Sequence, residues 1–328
     1  MSERGTTAPG PRGAARLGIG LAAVARPAYI TSGREVDLGA HRGVEDLRQR
    51  TWEVLDAAVA AGVGYVDVAR SYGRAEEFLA SWLRARPEAM VEVGSKWGYR
   101  YVGGWQVDAE THEVKDHSLA AFLRQRDETL ALLGDQLAVY HVHSATLETG
   151  VLDDAPLHRA LADLRERGVA VGISTSGPEQ AAAVRRALSV SVDGTSLFTS
   201  FQSTWNVLET SVAPALAEAA EAGARVLVKE SLANGRLAPA GTAGSPGAER
   251  VAELAESLGV GPDVLAVAAA LAQPWAGIVL SGAVTPEQVG RNAAAAGLEL
   301  PAEVLPELAR LAEDPREYWT ARSRRPWS

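Results

Sequence analysis

Cysteine is absent from all 328 residues. Disulfides, thiolate nucleophiles and cysteine-ligated metals are thereby excluded, and the composition suits a reducing cytoplasm. Positive charge is not in excess either. The 32 Lys and Arg against 41 Asp and Glu give a net charge of −9, which argues against nucleic acid and anionic membrane surfaces as partners. No apolar run approaches the roughly 18 residues of a membrane helix. One stretch imitates a secretory leader: Arg12 and Arg16 precede the apolar Leu17 to Ala25, and Ala23-Val24-Ala25 looks like a cleavage site. The run is short and interrupted by Gly18 and Gly20, and it reads better as a first barrel strand. Histidine is missing beyond His158. The pair His141-x-His143 could face one side of a strand as in metal hydrolases, but such sites draw more histidines from later strands. The expectation is no metal, with His141 a hydrogen-bonded core residue.

What is present is a regular alternation. Apolar residues make up 47% of the chain, enough for a large core. Residues 1–15 are rich in Gly, Pro, Thr, Ala and Arg and are expected to be disordered. Short apolar runs, as in strands buried on both faces, occur at 17–22, 64–68, 91–96, 137–143, 169–174, 197–202, 225–229 and 277–281. Helical spacing occurs at 43–61, 74–85, 119–133, 157–167, 178–188, 212–222, 248–258 and 286–296. In the first of these Leu47, Trp52, Leu55, Ala58 and Val59 make one stripe. Gly62, Gly168 and Gly223 stand where helices end, and Pro178 and Pro286 where they begin. Eight βα units predict an α/β fold, a (β/α)8 TIM barrel in a single domain over residues 16–312. An extra helix at 302–312 and a tail over 313–328 follow. A doubly wound sheet is the alternative. Gly18-x-Gly20-x-x-Ala23 mimics a dinucleotide fingerprint, but Pro27 intervenes and no helix opens at once.

Barrel active sites lie where strands hand over to loops. Asp67 and Tyr72 end the second strand and begin its loop; Lys96 ends the third, and His143 the fourth. A lysine ammonium near a tyrosine favours the phenolate and lowers its pKa from about 10. A buried lysine needs a counter-charge, which Asp67 can supply. A histidine opposite can orient a carbonyl oxygen. The tyrosine can then trade a proton with that oxygen. No side chain here carries a hydride, so a cofactor is required. Each residue alone also has a structural reading: a cap, an ion pair, a loop aromatic, a core histidine.

The motif Val66-Asp67-Val68-Ala69-x-x-Tyr72-Gly73-x-Ala75-Glu76 resembles the signature of the aldo-keto reductase family. Ser95-Lys96 and Tyr140-x-x-His143-Ser144 resemble its lysine and histidine motifs. Arg167 to Ser174, Gln202-x-x-Trp205-Asn206, Leu232 to Leu237, and Gly282 to Asn292 resemble its later segments, so the likeness covers about residues 16–296. The resemblance implies a barrel enzyme that binds NADPH, with NADH the alternative, and takes a small carbonyl or alcohol substrate. It implies Asp67, Tyr72, Lys96 and His143 as the catalytic set. It places Ser174, Thr175 and Gln202 on the nicotinamide amide and Trp205 against the ring. Leu232, Asn234 and Gly235 fall near the pyrophosphate; Gly282, Gln288, Arg291 and Asn292 fall near the adenosine phosphate. Three departures stand out. Thr175 replaces an Asn, Lys229-Glu230-Ser231 replaces Tyr-Ser-Pro, and Gly282 replaces a basic residue.

The longest loop, from Trp97 to about Lys115, carries Trp97, Tyr99, Tyr101, Trp105 and His112. Its aromatic content predicts a substrate wall, with Trp97, Tyr99 and Trp105 facing a sugar or ring-bearing carbonyl. The tail carries Tyr318, Trp319 and Trp327 among arginines. It either folds over the pocket or frays. A non-catalytic NADPH-binding regulatory barrel is the leading alternative, and a cofactor-free isomerase or lyase is another. Oligomeric state is not legible.

Overall fold

A computed structural model describes residues 16–31, 33–39 and 41–327; the disorder expected over 1–15 lies outside them. Eight parallel strands close a barrel. They are β1 (Leu17–Gly20), β2 (Tyr65–Asp67), β3 (Glu92–Trp97), β4 (Leu137–Ala145), β5 (Ala170–Thr175), β6 (Ser200–Thr204), β7 (Arg225–Lys229) and β8 (Ile278–Ser281). Each pairs with its sequence neighbours, and β1 returns to β8 with Leu17 opposite Val279. The strands are buried almost throughout because helices cover the outer face and side chains fill the inner one.

The helix Val44–Ala60 buries Leu47, Thr51, Val54, Leu55 and Ala58. Val59, read as part of that stripe, is 37% exposed; the buried face is turned slightly from the one the spacing predicts. Gly62, Gly168 and Gly223 follow helices in the left-handed conformation expected of a helix stop. Pro286 opens its helix, whereas Pro178 stands just ahead of Gln180–Leu188. Gly18 and Gly20 lie on β1, and the next helix begins only at Arg34.

Four differences from the expected pattern bear on the site. Between β7 and β8 stand two helices, Pro246–Ser257 and Pro262–Leu271. The second is buried on nearly every side and so lacks the polar stripe that marks a helix in sequence. The sixth strand begins at Ser200 rather than 197, because Ser191–Val192 and Thr195–Ser196 form a small hairpin before it. The long loop after β3 contains a second hairpin, Tyr99–Tyr101 with Glu113–Lys115. The extra helix spans only Val304–Ala309, and the tail carries a further helix, Pro315–Ser323, capped by Asp314. Among the described residues no single helix is long and apolar enough to cross a membrane.

Candidate active site

A cavity of about 380 Å³ opens at the C-terminal ends of the strands. Asp67, Tyr72 and His143 line it, with Lys96 buried just behind. Lys96 Nζ donates to Asp67 Oδ2 at 2.5 Å and to the Val68 carbonyl at 2.9 Å. Gln202 Nε2 donates to the other oxygen, Asp67 Oδ1, at 2.8 Å. Register explains the meeting: Asp67 on β2 lies opposite Gly94 on β3, so the lysine two residues on reaches back across one strand.

Tyr72 is delivered by a tight turn. Its N–H donates to the Ala69 carbonyl, and its own carbonyl accepts from Ala75 at the next helix start. Gly73 follows at φ +61°, where a Cβ would stand 3.0 Å from Arg26 and 3.1 Å from Trp105. Only glycine fits both the conformation and the space. The Tyr72 ring lies edge-on to His143 at 5.5 Å and 4.8 Å from Lys96 Nζ.

His143 sits at a register shift between β4 and β5. Such irregularities re-aim side chains. Ser144 follows at φ +51°, and its N–H donates to Ser174 Oγ at 2.8 Å. The imidazole faces Ser71 Oγ at 3.5 Å and the ring of Tyr99 at 5.0 Å. Burial, then the charges of Lys96, Lys229 and Arg26, push its pKa well below the ordinary value. His143 is therefore a neutral imidazole at pH 7, able to hydrogen-bond a carbonyl oxygen. His141 points into the core, with Nε2 against Ser200 Oγ at 2.9 Å.

One electrostatic expectation is corrected. The lysine was expected to lower the phenol pKa. Burial instead pushes Tyr72 well above its ordinary value, and the Asp67 carboxylate adds to this. The ammonium is matched by Asp67 at contact distance, so little of its field is left for the phenol. Burial also draws the pKa of Lys96 itself downward.

The expected cofactor and substrate residues divide. Gln202, Leu232, Asn234, Gly235, Gly282, Gln288, Arg291 and Asn292 all line the cavity. Three of them present buried amide oxygens with no partner: Gln202 Oε1, Asn234 Oδ1 and Asn292 Oδ1. Unpaired buried acceptors are costly, and three along one cavity fit a ligand rich in N–H and O–H donors. Ser174, Thr175 and Trp205 are not on its wall. Ser174 holds Ser144, Thr175 Oγ1 bonds Ser203 Oγ at 2.7 Å, and Trp205 packs edge-on against Trp275 at 5.8 Å. Two of the three expected substrate aromatics are also displaced. Trp97 is fully buried against Phe122 at 5.0 Å, because it is still part of β3. Trp105 donates Nε1 to the Arg42 carbonyl at 2.8 Å and packs on Phe78. Tyr99 does face the cavity.

The sequence pattern of the aldo/keto reductase family matches residues 43–313. The chain belongs to the aldo/keto reductase family. That family implies NAD(P)H-dependent carbonyl reduction and a small-molecule substrate. A holo-form aldo-keto reductase from Bacillus halodurans is similar in fold, with a TM-score of 0.68 at 20% identity over 91% of this chain and 92% of its own. Two Pseudomonas aeruginosa structures described as aldo-keto reductases give 0.61 and 0.58, each at 22% identity. They cover 86% and 85% of this chain and 88% and 90% of theirs. No curated protein matches the chain by sequence.

Several residues of this aldo/keto reductase that line the cavity were not singled out as site residues in the sequence. Arg26 and Tyr29 come from the segment after β1, and Glu113 from the hairpin. Lys229 and Glu230 occupy the place of Tyr-Ser in the family motif. Burial draws Lys229 down to about 8, with Glu230 pulling the other way. Burial alone would raise the Glu230 carboxyl, but Arg322 and Lys229 overcome it and hold it at about 2. The tail also contributes. Arg322 donates Nε to Glu230 at 2.8 Å, Asn206 donates to the Tyr318 hydroxyl at 3.0 Å, and Trp327 reaches the cavity rim. The Lys229-Glu230 departure and the aromatic, arginine-rich tail were the available signals; the arginine that pairs with Glu230 lies 92 residues away.

Proposed function

We propose that this protein reduces an aldehyde or ketone to the alcohol with NADPH, with Tyr72 as general acid. The observation that carries the reading is Tyr72 on the cavity wall between His143 and the buried Lys96–Asp67 pair. A phenol held above its ordinary pKa stays protonated at neutral pH, which suits donation to a carbonyl oxygen. Neutral His143 orients that oxygen. Asp67 fixes Lys96, and Gln202 fixes Asp67, so the floor is rigid before the substrate arrives. The dinucleotide supplies the hydride that no side chain can carry. Gln202, Asn234 and Asn292 would hold it through their unpartnered oxygens, with Leu232, Gly235, Gly282, Gln288 and Arg291 along the same wall. Tyr99 and Trp327 bring aromatic rings to the mouth, which supports a sugar or ring-bearing carbonyl. A reducing, cytoplasmic setting is part of the proposal.

NADPH rests on Arg291 as a fork for a 2′-phosphate. NADH is the second reading, and two carboxylates favour it. Asp263 accepts from Arg291 Nε at 3.0 Å, and Asp37 accepts from Gln288 at 2.6 Å. Both line the cavity, where they could receive a free ribose hydroxyl. A panel of aldehydes, ketones and sugars with each dinucleotide, followed at the nicotinamide absorbance, tests both. Carbonyl-dependent consumption should fall by about 10²–10⁴ in Tyr72→Phe while the dinucleotide still binds. Binding without turnover on any carbonyl would instead favour a regulatory barrel.

A further inference from the structure

The Lys96 ammonium is committed to Asp67, and a second cation stands against Tyr72. Arg26 is 1% exposed, and its guanidinium carbon lies 4.9 Å from the centre of the Tyr72 ring. Its placement is fixed from several sides. Nε donates to the Ala22 carbonyl at 2.9 Å. Nη1 donates to the Ser71 carbonyl at 3.3 Å, one residue before the tyrosine, and to Glu113 Oε1 at 2.6 Å. Tyr29 and Trp327 stack near the same group at 4.5 and 5.0 Å.

Burying a guanidinium costs several kcal/mol before pairing, and apolar side chains of like volume often pack as well. A planar, permanently charged group does one thing they cannot. Over an aromatic ring it places positive potential on the π face. A phenolate spreads its charge into that ring, so the field favours the ionised form over the neutral one.

We propose that Arg26 is a positioning residue for proton transfer at Tyr72, and that Glu113 sets how strongly it acts. The proposal rests on the general-acid reading above. The charged and titratable groups around the phenol are Arg26 after β1, Asp67 from β2, Lys96 from β3, Glu113 from the hairpin, His143 from β4, Lys229 from β7 and Glu230 just after it, with Tyr29 beyond Arg26. Asp67, Glu113 and Glu230 oppose ionisation, and Arg26 favours it. Asp67 is spent on Lys96, and Glu230 is held by Arg322 and Lys229. The balance between Arg26 and Glu113 is what remains adjustable.

The test uses variants of opposite sign. Glu113→Gln keeps the shape of the partner and frees the cation. Arg26→Gln removes the cation, and Arg26→Lys restores the charge without the planar fork. In the alcohol-oxidising direction the rate rises with pH as the phenol ionises. Glu113→Gln should move that rise to lower pH by about one unit and Arg26→Gln to higher pH by about as much. Arg26→Lys should fall between wild type and Arg26→Gln. At a fixed pH below the rise, the two Gln variants should bracket wild type by about tenfold each way. A second readout needs no turnover. In ligand-free protein carrying 13Cζ-tyrosine, the resonance lost in Tyr72→Phe should ionise most readily in Glu113→Gln and least in Arg26→Gln. That order can hold even if Tyr72→Phe stays active, so failure of the general-acid reading is told apart from failure of this one. Shifts in the same direction, or a uniform rate loss with an unmoved profile, overturn the role of Arg26. If Arg26→Gln does not fold, Arg26→Lys decides: a rise moved to higher pH than wild type supports the role of the planar fork, and an unmoved rise overturns it.

Discussion

The floor and the rim of the cavity are built in opposite ways. On the floor, Asp67, Lys96 and Gln202 stand on strands whose register fixes their spacing, and each is buried to within 3%. At the rim, Arg26, Glu113, Glu230, Arg322 and Trp327 come from segments far apart in the chain and meet through long side chains. The floor places charge by backbone geometry. The rim places it by ion pairs and ring stacking, which can be altered one contact at a time. Within one barrel the floor can therefore stay fixed while the rim, from which Arg26 reaches the Tyr72 ring, varies.

Three substitutions sharpen that contrast. Trp97 follows Lys96 on β3 but faces the opposite side, packed on Phe122 behind the cavity wall. Trp97→Ala should cost about 3–5 kcal/mol in denaturant unfolding, with the Michaelis constant for substrate unchanged in the folded fraction. A raised Michaelis constant without lost stability would move Trp97 to the rim. Next comes the Glu230–Arg322 pair. The Glu230 carboxyl lies at about 2 against an ordinary 4.5, so it is lower in the folded chain. Its contribution, on the order of 3 kcal/mol, is complete above pH 4.5 and is lost as pH falls toward 2. The gap in Tm between wild type and Glu230→Gln should be widest near neutrality and close over that window. A gap constant with pH would show that the pair does not tie the tail. The smallest effect is at the outer edge. Trp327→Ala should raise the substrate Michaelis constant by up to about tenfold, leaving Tm nearly as it was. An unchanged constant would remove the tail from the substrate path.

The same contrast explains what could be read in the chain. Strand ends are visible because a buried parallel strand is a short apolar run, and a polar residue closing it is conspicuous. Asp67, Lys96 and His143 stood out in this way, and β7 matches its expected span from Arg225 to Lys229. Pro262–Leu271 was invisible as a helix because burial on all sides erases its periodicity. Trp97 misled because composition marks a residue as aromatic without saying which face of β3 carries it. Ser174, Thr175 and Trp205 match their motif positions, but their side chains meet Ser144, Ser203 and Trp275 and stand off the cavity wall. Arg26 and Glu113 pair across 87 residues of sequence, a separation at which no local pattern survives.

Closure of the barrel through β1 and β8 also governs how this chain can meet others. Its strands have no outer neighbour to recruit, so an extended segment finds no row of bare amides along them. Among the described residues, only the two short hairpins keep open edges. Main-chain pairing with another chain is therefore confined, among the described residues, to those two hairpin edges, and the helical exterior can offer only side-chain shape.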